Sequence, residues 1–480
     1  MRSILVAGVA LTLLCACATN PVTGRPQFVL VSEAQEIALG RQAAPEIAAG
    51  MGIYEDAALQ RYVEGIGLRM AKGSERPDLP WQFRVVDDPT VNAFALPGGF
   101  IYVTRGILAH MSSEAELASV LGHEIGHVTA RHSVSQQTKQ IGAQIVLLPT
   151  VFLPSDLQNL SGALLGSGFQ LLFLKHSRDD ERQSDELGLA YMSRAGYDPN
   201  EMVDMFRTLG RSSRAGGGRG VPEWLATHPN PENREQLIAQ RIGRLPEAAR
   251  SGTVGREAFM QRVDGLVFGR DPRQGFFSET NVYHHPELAF RVSFPKSWKT
   301  VDMRQFVAAA NPEQDALIRL TLVEGDDPEA AARRFLESAG VRGTSPTLSS
   351  VNGLDSATAD FVATADQTPI RGIVTFVKHG NRIFGLVGFA PQSAFAARQA
   401  ALRETLASFS PETDPAVLGA EPWRIRIVTP PRRMSQPAFA QAYPGPASVD
   451  ELALLNQLDA GELYPAGVPA KQIVGRRLPR

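Results

Sequence analysis

The chain has 480 residues, of which 48 are basic and 50 acidic, so its formal net charge is −2 and its pI is near 6.5. This length suggests roughly three domains, and the near-neutral charge gives no electrostatic basis for binding nucleic acid. Both cysteines, Cys15 and Cys17, lie at the N-terminus. Stability in the rest of the chain must therefore come from a packed core or a bound metal, because disulfides are excluded there.

The N-terminus has the pattern of a secretory signal. Arg2 precedes an apolar run that ends in the sequence LCAC at Cys17, and a basic start followed by an apolar stretch is typical of such signals. LCAC resembles a bacterial lipobox, which implies a signal peptide at 1–16, diacylglycerol on the Cys17 sulfur and a tether at 17–30. Ala18 after the cysteine suggests sorting to the outer membrane of a Gram-negative cell. An uncleaved anchor or a plain secretory signal is the alternative.

A turn and a strand are predicted within the segment 91–108. The sequence LPGG, from Leu96 to Gly99, precedes the run 100–104, which is rich in aromatic and β-branched residues. Proline and glycine mark turns, and the run that follows is typical of a strand. The glycines would leave the backbone unobstructed for the approach of another chain.

The strongest functional signal is the sequence HEIGH at 123–127. Because a helix has about 3.6 residues per turn, His123 and His127 share a face and can aim their imidazoles at one point. Glu124 is rotated by about 100°, close enough to reach a water at that point. In this HExxH arrangement the two histidines hold zinc and the glutamate is a general base. A catalytic zinc site also needs a third protein ligand, without which the motif could be a chance occurrence.

The flanks of HEIGH also favour a helix. Ser113 and Glu116 have the spacing of a capping box, which predicts the start of the helix. Gly122 and Gly126 each disfavour a helix by about 1 kcal/mol relative to alanine. We therefore expect another backbone, or the substrate, to approach the helix closely at these two glycines.

A stretch that is nearly free of charge follows this helix. Between residues 140 and 174 the only charged residue is Asp156. The apolar pieces are shorter than the roughly 20 residues that a membrane span needs. We predict a pair of helices that pack over the active-site cleft as a lid. Contact with a membrane surface or with an apolar partner is the alternative.

The third ligand is predicted on a second helix, at 177–199. Glu181 and Asp185 are four residues apart and point to one side of this helix, which Gly196 and Pro199 end. Glu181 would complete a His2Glu zinc set. Asp185 would accept the outward N–H of a ligand histidine and fix its tautomer. An ordinary charged helix face is the alternative.

Together these motifs resemble a known family. HExxH followed by an ExxxD helix is similar to the gluzincin metallopeptidases, which include the β-barrel assembly-enhancing protease, the mitochondrial Oma-type stress protease and the CAAX prenyl proteases. Residues 20–45 are similar to the N-terminal segment of the secreted bacterial lipoprotein branch. Residues 91–108 resemble the strand before the active-site helix, and THPNPENR at 227–234 resembles a late His-Pro…Arg segment. The resemblance covers about residues 20–245.

The resemblance implies an α+β fold, with a zincin-type metallopeptidase domain at 31–245. It also implies an edge strand that lines the cleft and pairs with an extended substrate by β-augmentation. An ordinary hairpin turn before a strand is the alternative. The residues assigned to this substrate-binding edge strand are Leu96, Gly98, Gly99 and Phe100.

The resemblance further implies that the segment around His228 reaches the zinc site. There His228 would polarise the substrate carbonyl, stabilise the oxyanion, or occupy the fourth zinc position in a resting state. Arg234 would hold Glu181, Asp185 or the substrate backbone. A surface histidine in a loop is the alternative for His228. The remaining histidines receive no functional role, with His132 interpreted as structural: His110, His132, His176, His284, His285 and His379.

The character of the chain changes after residue 245. We predict a connector at 246–282, a strand-rich α+β accessory domain at 283–410 and a short C-terminal segment at 415–480. The phrase LAFRVSFPKSW in the accessory domain is weakly similar to domains with the fold of the photosystem protein PsbP. In the C-terminal segment, LALLNQL followed by YPAG resembles the second half of a LysM module, which binds peptidoglycan.

The predicted function is that of a zinc-dependent endopeptidase with one Zn²⁺ per chain. His123, His127 and Glu181 are the expected metal ligands, and Glu124 and His228 the expected catalytic residues. The resemblance implies quality control of misfolded or stalled envelope proteins at the periplasmic face of the outer membrane, with lipid at Cys17 as the anchor and peptidoglycan as a further partner. The alternatives are a zinc-stabilised chaperone or scaffold without turnover, and a peptidoglycan endopeptidase.

Overall fold

The computed structural model describes residues 17–29, 31–136, 176–215, 228, 233–365 and 368–476. The predicted signal peptide, the predicted lid at 140–174 and most of the segment 227–234 lie outside the described residues. None of the helices in the described ranges is both long enough and apolar enough to cross a membrane.

Helices occur along the whole described chain. They are α1 (Glu33–Met51), α2 (Ala57–Ala71), α3 (Arg105–His110), α4 (Glu114–Thr129), α5 (Arg178–Arg194), α6 (Asn200–Ala215), α7 (Arg234–Arg244), α8 (Arg256–Val263), α9 (Pro328–Leu336), α10 (Phe395–Ala407), α11 (Pro415–Leu418), α12 (Gln436–Ala442) and α13 (Val449–Leu455).

The strands up to residue 293 have at most five residues each. They are β1 (Cys17–Thr19), β2 (Pro26–Phe28), β3 (Gln82–Val86), β4 (Ala93–Leu96), β5 (Phe100–Thr104), β6 (Val267–Phe268), β7 (Phe276–Phe277), β8 (Val282–His285) and β9 (Phe290–Ser293). The strands that follow include the longest described ones, β15, β16 and β17: β10 (Lys299–Met303), β11 (Phe306–Ala310), β12 (Leu317–Val323), β13 (Arg342–Gly343), β14 (Thr347–Val351), β15 (Leu354–Ala365), β16 (Thr368–His379), β17 (Arg382–Pro391), β18 (Ser410–Pro411), β19 (Trp423–Val428) and β20 (Ala470–Val474).

The chain divides into two compact units, and the first is discontinuous in sequence. It contains the described residues up to Arg270 together with Trp423–Gly475, and the second unit contains Asp271–Pro422. The predicted peptidase domain therefore shares its unit with most of the predicted C-terminal segment. The domain boundaries derived from the sequence stay predictions.

A small mixed sheet packs beside α4, the helix that carries HEIGH, in the first unit. Its strand order is β3-β5-β4, with β3 parallel and β4 antiparallel to β5. The predicted strand 100–104 coincides with β5, but β5 is the central strand and β4 lies at the edge. This corrects the expectation for Phe100, because only Leu96 belongs to the edge strand. Gly98 and Gly99 form the intervening turn with φ of 80° and 101°.

Helix α4 begins where the capping spacing predicts, with one difference. The Ser113 side chain accepts a hydrogen bond from Glu116 N at 3.0 Å. The Glu116 carboxylate, however, accepts from Ser112 N rather than from Ser113 N, so the reciprocal half of the capping box is displaced by one residue. Helix α5 has a complete capping box between Ser177 and Asp180.

Helices α4 and α5 cross at very short range, and glycines make this possible. A Cβ placed on Gly188 of α5 would lie 2.8 Å from His123 N. On α4, a Cβ on Gly122 would lie 3.0 Å from Gly188 O, and one on Gly126 would lie 3.0 Å from Ser184 Cα. The close approach predicted at Gly122 and Gly126 is therefore made by the backbone of α5.

The C-terminal segment is built into the first unit. Ile425, Leu455 and Ile473 belong to the same buried apolar cluster as Leu121 and Ile125 of α4. This continuous core joins parts of the chain that are about 300 residues apart in sequence, so α4 packs within a core that both parts complete.

A buried lysine ties the same segment to the start of α4. Lys471, on β20, is fully buried, and its Nζ donates to Ala109 O at 2.7 Å, to Leu455 O at 3.3 Å and to Met111 O. Burial lowers the pKa of Lys471 to about 7. The LysM-like character of this segment stays a prediction.

The second unit is dominated by one antiparallel sheet. Its strand order is β10-β11-β12-β17-β16-β15-β13, with β14 also paired to β15. Gly380, with φ of 61°, lies in the turn between β16 and β17. Helix α9 covers most of the sequence PEAAARRFLESAG, and a smaller sheet has the order β18-β9-β8-β7. Chain order and hydrophobic patterning are thus consistent with the expected α+β architecture.

Replacing Gly188 with alanine tests the helix crossing. The new Cβ has to push against His123 N, and such overpacking costs about 1–3 kcal/mol. We expect faster amide hydrogen exchange across residues 114–129 in the metal-free protein. Gly243→Ala, on a helix with open space around its α-carbon, is the control. Equal exchange in the two variants would contradict the close crossing.

Truncating Leu455 tests the shared core. Leu455→Ala removes a side chain that is 1% exposed, whereas Leu463→Ala removes one that is 43% exposed in the same segment. The first change should lower the free energy of unfolding of the first unit by about 2–5 kcal/mol, measured as lost protection of the α4 amides during urea titration. If both variants retain the protection of α4, the C-terminal segment does not support the helix.

Candidate metal centre

The side chains predicted to bind zinc converge in the first unit. His123 and His127 of α4, Glu181 of α5 and His228 each contribute one ligand atom, and these atoms all lie within 4.8 Å of one another. All four residues are buried. Two helices that are separated by about 50 residues of chain therefore present imidazoles and a carboxylate to one point, and His228 joins them from a third segment.

The distances between these atoms suit a tetrahedral metal. Ligands at the zinc bond lengths of about 2.0–2.1 Å lie about 3.3 Å from one another in a tetrahedron. His123 Nε2 is 3.0 Å from His127 Nε2 and 3.3 Å from His228 Nδ1. Glu181 oxygens lie 3.5 Å from His123 Nε2, 3.4 Å from His127 Nε2 and 3.0 Å from His228 Nδ1. Nitrogen and carboxylate donors at this spacing fit one zinc ion.

The carboxylate of Glu181 gives a second indication of the fit. Its Oε2 is buried and accepts no hydrogen bond from any described residue, but it lies 3.4 Å from Arg234 Nη2 and 3.5 Å from His123 Nε2, which are both ion-pair contacts. Burial alone would raise the pKa of Glu181, but His228, His123 and His127 hold it far below its usual range. Glu181 is therefore an ionised carboxylate aimed at the group of imidazoles.

The outer side of His123 is held by an ion pair. Its Nδ1 lies 3.0 Å from Asp185 Oδ1, and Arg234 donates to both carboxylate oxygens of Asp185 through Nε at 2.6 Å and Nη2 at 2.5 Å. Burial opposes ionisation of Asp185, but Arg234 and His123 keep its pKa below its usual value. The guanidinium also lies 4.3 Å from the centre of the Phe206 ring, which limits its movement.

The outer side of His127 has a partner that the sequence analysis did not assign. His127 Nδ1 lies 3.0 Å from His132 Nδ1, and His132 Nε2 lies 3.0 Å from Gln183 Oε1 on α5. His176 is also close, with its ring centre 4.0 Å from that of His127. The only signal for His132 was its position just after α4, and nothing in the sequence indicated His176.

Glu124 lies beside the four ligand side chains without being one of them. It is 1% exposed, its Oε1 has no hydrogen-bond partner among the described residues, and His228 Nε2 is 3.6 Å away. Burial raises the pKa of Glu124, with His228 and His123 acting in the opposite direction. A carboxylate with a raised pKa next to the metal position suits proton transfer near neutral pH.

The imidazoles of α4 differ in their electrostatic surroundings. Burial would lower the pKa of His123, but the carboxylates of Asp185 and Glu181 raise it to about 9. Burial lowers the pKa of His127, and the neighbouring His176 acts in the same direction. The carboxylates of Asp185 and Glu181 thus stabilise a proton on the imidazole of His123. A divalent cation bound by this imidazole would replace that proton.

The edge strand β4 lies against the helix that carries these histidines. Leu96, at its end, is buried with 1% of its surface exposed. Among the residues that the structure describes, β4 pairs only with β5. Its outer edge is therefore not paired with any other described strand.

A buried set of two histidines and a glutamate on adjacent helices, with a second glutamate beside them, is the arrangement expected of a zinc metallopeptidase of the gluzincin type. Residues 57–242 match the profile of peptidase family M48. Over this segment the chain is similar to members of that family, which are zinc-dependent metallopeptidases.

Curated relatives include the mitochondrial metalloendopeptidase OMA1 of Arabidopsis thaliana, 37% identical over 38% of this chain and 38% of that protein. The β-barrel assembly-enhancing protease of Yersinia pestis is 30% identical over 47% of each chain. OMA1 of Schizosaccharomyces pombe is 35% identical over 48% of this chain and 66% of its own length. The chain thus spans less than two thirds of each of these relatives.

Solved structures give only a weak likeness, which covers part of the chain. Cyanobacterial PsbP from Synechocystis sp. PCC 6803 aligns with a TM-score of 0.24 and 10% identity, over 27% of this chain and 91% of that one. A TM-score this low supports no assignment, so the PsbP-like fold of the accessory domain stays a prediction.

Neutralising Asp185 tests the support of His123. Asp185→Asn should weaken zinc affinity about 10- to 100-fold, because outer partners that orient metal-bound histidines have effects of this size. Competition with a chromophoric chelator measures the affinity. The control is Asp179→Asn, the same change at an 82% exposed side chain on the same helix. Equal zinc affinity in the two variants would show that Asp185 does not orient His123.

Proposed function

We propose that this protein is a zinc-dependent endopeptidase that cleaves misfolded or stalled proteins of the bacterial cell envelope. The observation that carries the proposal is the spacing of 3.0–3.5 Å among the ligand atoms of His123, His127 and Glu181. The unpartnered carboxylate oxygen of Glu124 beside them adds the general base that a hydrolase needs.

Zinc bound there would act as a Lewis acid, which polarises a substrate carbonyl and lowers the pKa of water. Glu124 takes the proton from the attacking water and returns it to the nitrogen of the leaving amine, so that one carboxylate serves both proton transfers. Asp185 and Arg234 hold His123 in orientation, and His132 does the same for His127. The burial of all these groups excludes bulk water and strengthens their mutual electrostatic interactions.

His228 is proposed to have one role in the resting site and another when substrate is bound. With Nδ1 at 3.0 Å from Glu181 Oε1, it stands where a fourth ligand would bind, which supports a closed resting arrangement. Admission of substrate requires the imidazole to leave this position. Its Nε2, 3.6 Å from Glu124 Oε1, would then donate a hydrogen bond to the developing oxyanion.

Substrates are proposed to bind as extended chains. The outer edge of β4 offers backbone donors and acceptors beside α4, and pairing with a main chain requires no particular side chains. Folded domains keep their backbone groups paired internally, so an edge of this kind selects unfolded or partly assembled chains. Misfolded envelope proteins are such chains, and one relative is named as a β-barrel assembly-enhancing protease.

The location is proposed from the N-terminus. Lipid on Cys17 would hold the peptidase at the periplasmic face of the outer membrane, and the C-terminal segment would add contact with peptidoglycan. Palmitate labelling of cells that produce the protein, with Cys17→Ala as the control, tests the anchor. Co-sedimentation with purified sacculi tests the second contact.

A scaffold that holds clients without cutting them would have no need of Glu124. Glu124→Gln should retain zinc at one ion per chain but lose at least about 100-fold in the rate of casein cleavage, because proton transfer by a positioned base contributes about 10²- to 10⁴-fold. The matched control is Glu186→Gln, the same change at an exposed position on α5.

Metal removal completes this test. Dialysis against a chelator should abolish cleavage by the unmodified protein, and zinc should restore it. Equal cleavage by Glu124→Gln and by the unmodified protein would exclude the proposed proton transfer. Rescue of an envelope defect by Glu124→Gln would favour the scaffold, and release of peptides from sacculi would favour a peptidoglycan endopeptidase.

A further inference from the structure

A buried network of ion pairs lies at the C-terminal end of α4, outside the metal centre. Its middle is Glu36 of α1, which is 1% exposed. Arg76 donates to both carboxylate oxygens of Glu36 at 2.8 and 3.0 Å, and Arg131 Nε donates to Oε2 at 3.0 Å. Neither the metal ligands nor Glu124 take part in these contacts.

The network joins the end of α4 to the N-terminal part of the chain. Arg76 Nη1 also donates to Val128 O, in the last turn of α4, at 2.9 Å. Arg131 follows α4 directly, has a left-handed φ of 61°, and donates to Val31 O at 2.7 Å. A non-glycine residue seldom adopts this conformation, so it has to be held by other contacts. The hydrogen bonds of Arg131 to Glu36 and Val31 hold the chain in it where the chain leaves the metal-binding helix.

The same carboxylate reaches the turn beyond the edge strand. Gly98 N lies 3.4 Å from Glu36 Oε1 and donates to it. Gly98 connects β4 to β5, so its position sets where the outer edge of β4 ends. Helix α4 carries His123 and His127, and a substrate would lie along the hairpin of β4 and β5. Glu36 thereby links the C-terminal end of this helix to the turn of this hairpin.

Helix α1 also packs directly on this turn. A Cβ on Gly40 would lie 2.0 Å from Pro97 O and 2.6 Å from the Phe100 ring, and a Cβ on Gly98 would lie 2.6 Å from Ile37 Cα. Such short separations leave no space for a methyl group on either side. The helix therefore fits the turn in a single arrangement, and a small displacement of one displaces the other.

The ion pairs of Glu36 restrict the positions that α1 and the Gly98 turn can adopt. Two buried guanidinium groups share the buried carboxylate of Glu36, and among the described residues the largely exposed Glu33 is a further anion paired with Arg76. Moving Glu36 out of this position would leave Arg131 without its carboxylate and Arg76 with the exposed Glu33 alone, and an uncompensated buried charge is strongly destabilising. Alternative positions of α1 and of the Gly98 turn are thus disfavoured.

We propose that Glu36 is a positioning residue for substrate binding. It fixes the turn after β4 relative to the C-terminal end of α4, so that a peptide paired with β4 is aligned with the metal centre. This inference rests on the proposed function. It assigns a role to the N-terminal helix, which reaches neither the ligand histidines nor Glu124.

The decisive variant is Gly40→Ala, which retains every charge of the network. Alanine favours a helix over glycine by about 1 kcal/mol, while its methyl group forces α1 away from Pro97 and Phe100. Gly65→Ala is the matched control, since Gly65 lies within α2 and its Cβ would meet nothing within 4 Å. Both changes are made in the full chain carrying Glu124→Gln, so that bound substrate is not cut.

The probe is fluorescein-labelled casein, an unfolded chain, and binding is followed by fluorescence polarisation. We expect Gly40→Ala to weaken casein binding about tenfold or more, because a displaced Gly98 turn moves the edge of β4 with which the casein backbone pairs, with the zinc affinity unchanged. Glu36→Gln should weaken binding in the same direction, and if that variant does not fold, Gly40→Ala still decides. In the catalytically active chain, Gly40→Ala should raise KM with little change in kcat.

Equal casein affinity in Gly40→Ala and Gly65→Ala would overturn the proposal. A parallel loss of zinc and casein binding in Gly40→Ala would also overturn it, because that result indicates a general structural role. Failure of the unmodified chain to cleave casein would instead count against the proposed function, while the binding comparison would still test Glu36.

Discussion

The metal centre depends on one close crossing of two helices. Glu181 can reach the imidazoles of His123 and His127 only if the axes of α4 and α5 approach so closely that side chains cannot stand between them. Gly122 and Gly126 on one helix and Gly188 on the other provide this approach. Each glycine weakens its own helix, yet together they permit backbone contact that no other residue type would allow. The local cost to helix stability is thus offset by tertiary packing and by metal binding, which couples to folding.

Buried charge is handled in the same way at two places beside α4. At the ligands, the guanidinium of Arg234 neutralises Asp185 and through it orients His123. At the C-terminal end of the helix, Arg76 and Arg131 enclose Glu36. A buried ion pair contributes little net stability compared with an apolar replacement, but removal of one partner is costly. Such pairs therefore restrict the number of arrangements that α4 can adopt, which suits a helix whose side chains must hold a metal in fixed geometry.

The first unit is completed by residues from the distant C-terminal part of the chain. Ile425, Leu455 and Ile473 enter its core, and Lys471 satisfies carbonyl groups just before α4. The second unit is thus inserted between two parts of the first in sequence. The curated relatives match this chain over only part of their own length, and the match to the family profile ends at residue 242, before both the antiparallel sheet and the embedded C-terminal segment.

The sequence by itself determined the parts of the site that depend on helical spacing. His123 and His127 share a face at i and i+4, as do Glu181 and Asp185, and the cap at Ser113 marks where the first of the two helices begins, since all of these are local properties of the backbone. The run 100–104 was likewise recognisable as a strand from its side chains.

Only the tertiary structure decided which residues meet across the chain. That β5 is central and β4 is the edge depends on pairing with β3, which no local pattern records. The contacts of His132 with Gln183, of Glu36 with Arg131, and of Lys471 with the residues before α4 join segments that are distant in sequence. A residue type that is also common on surfaces gives no sign of such a partner. Side-chain identity and spacing fix the chemistry available, whereas the partners of a buried charge are set by how the helices and strands pack around it.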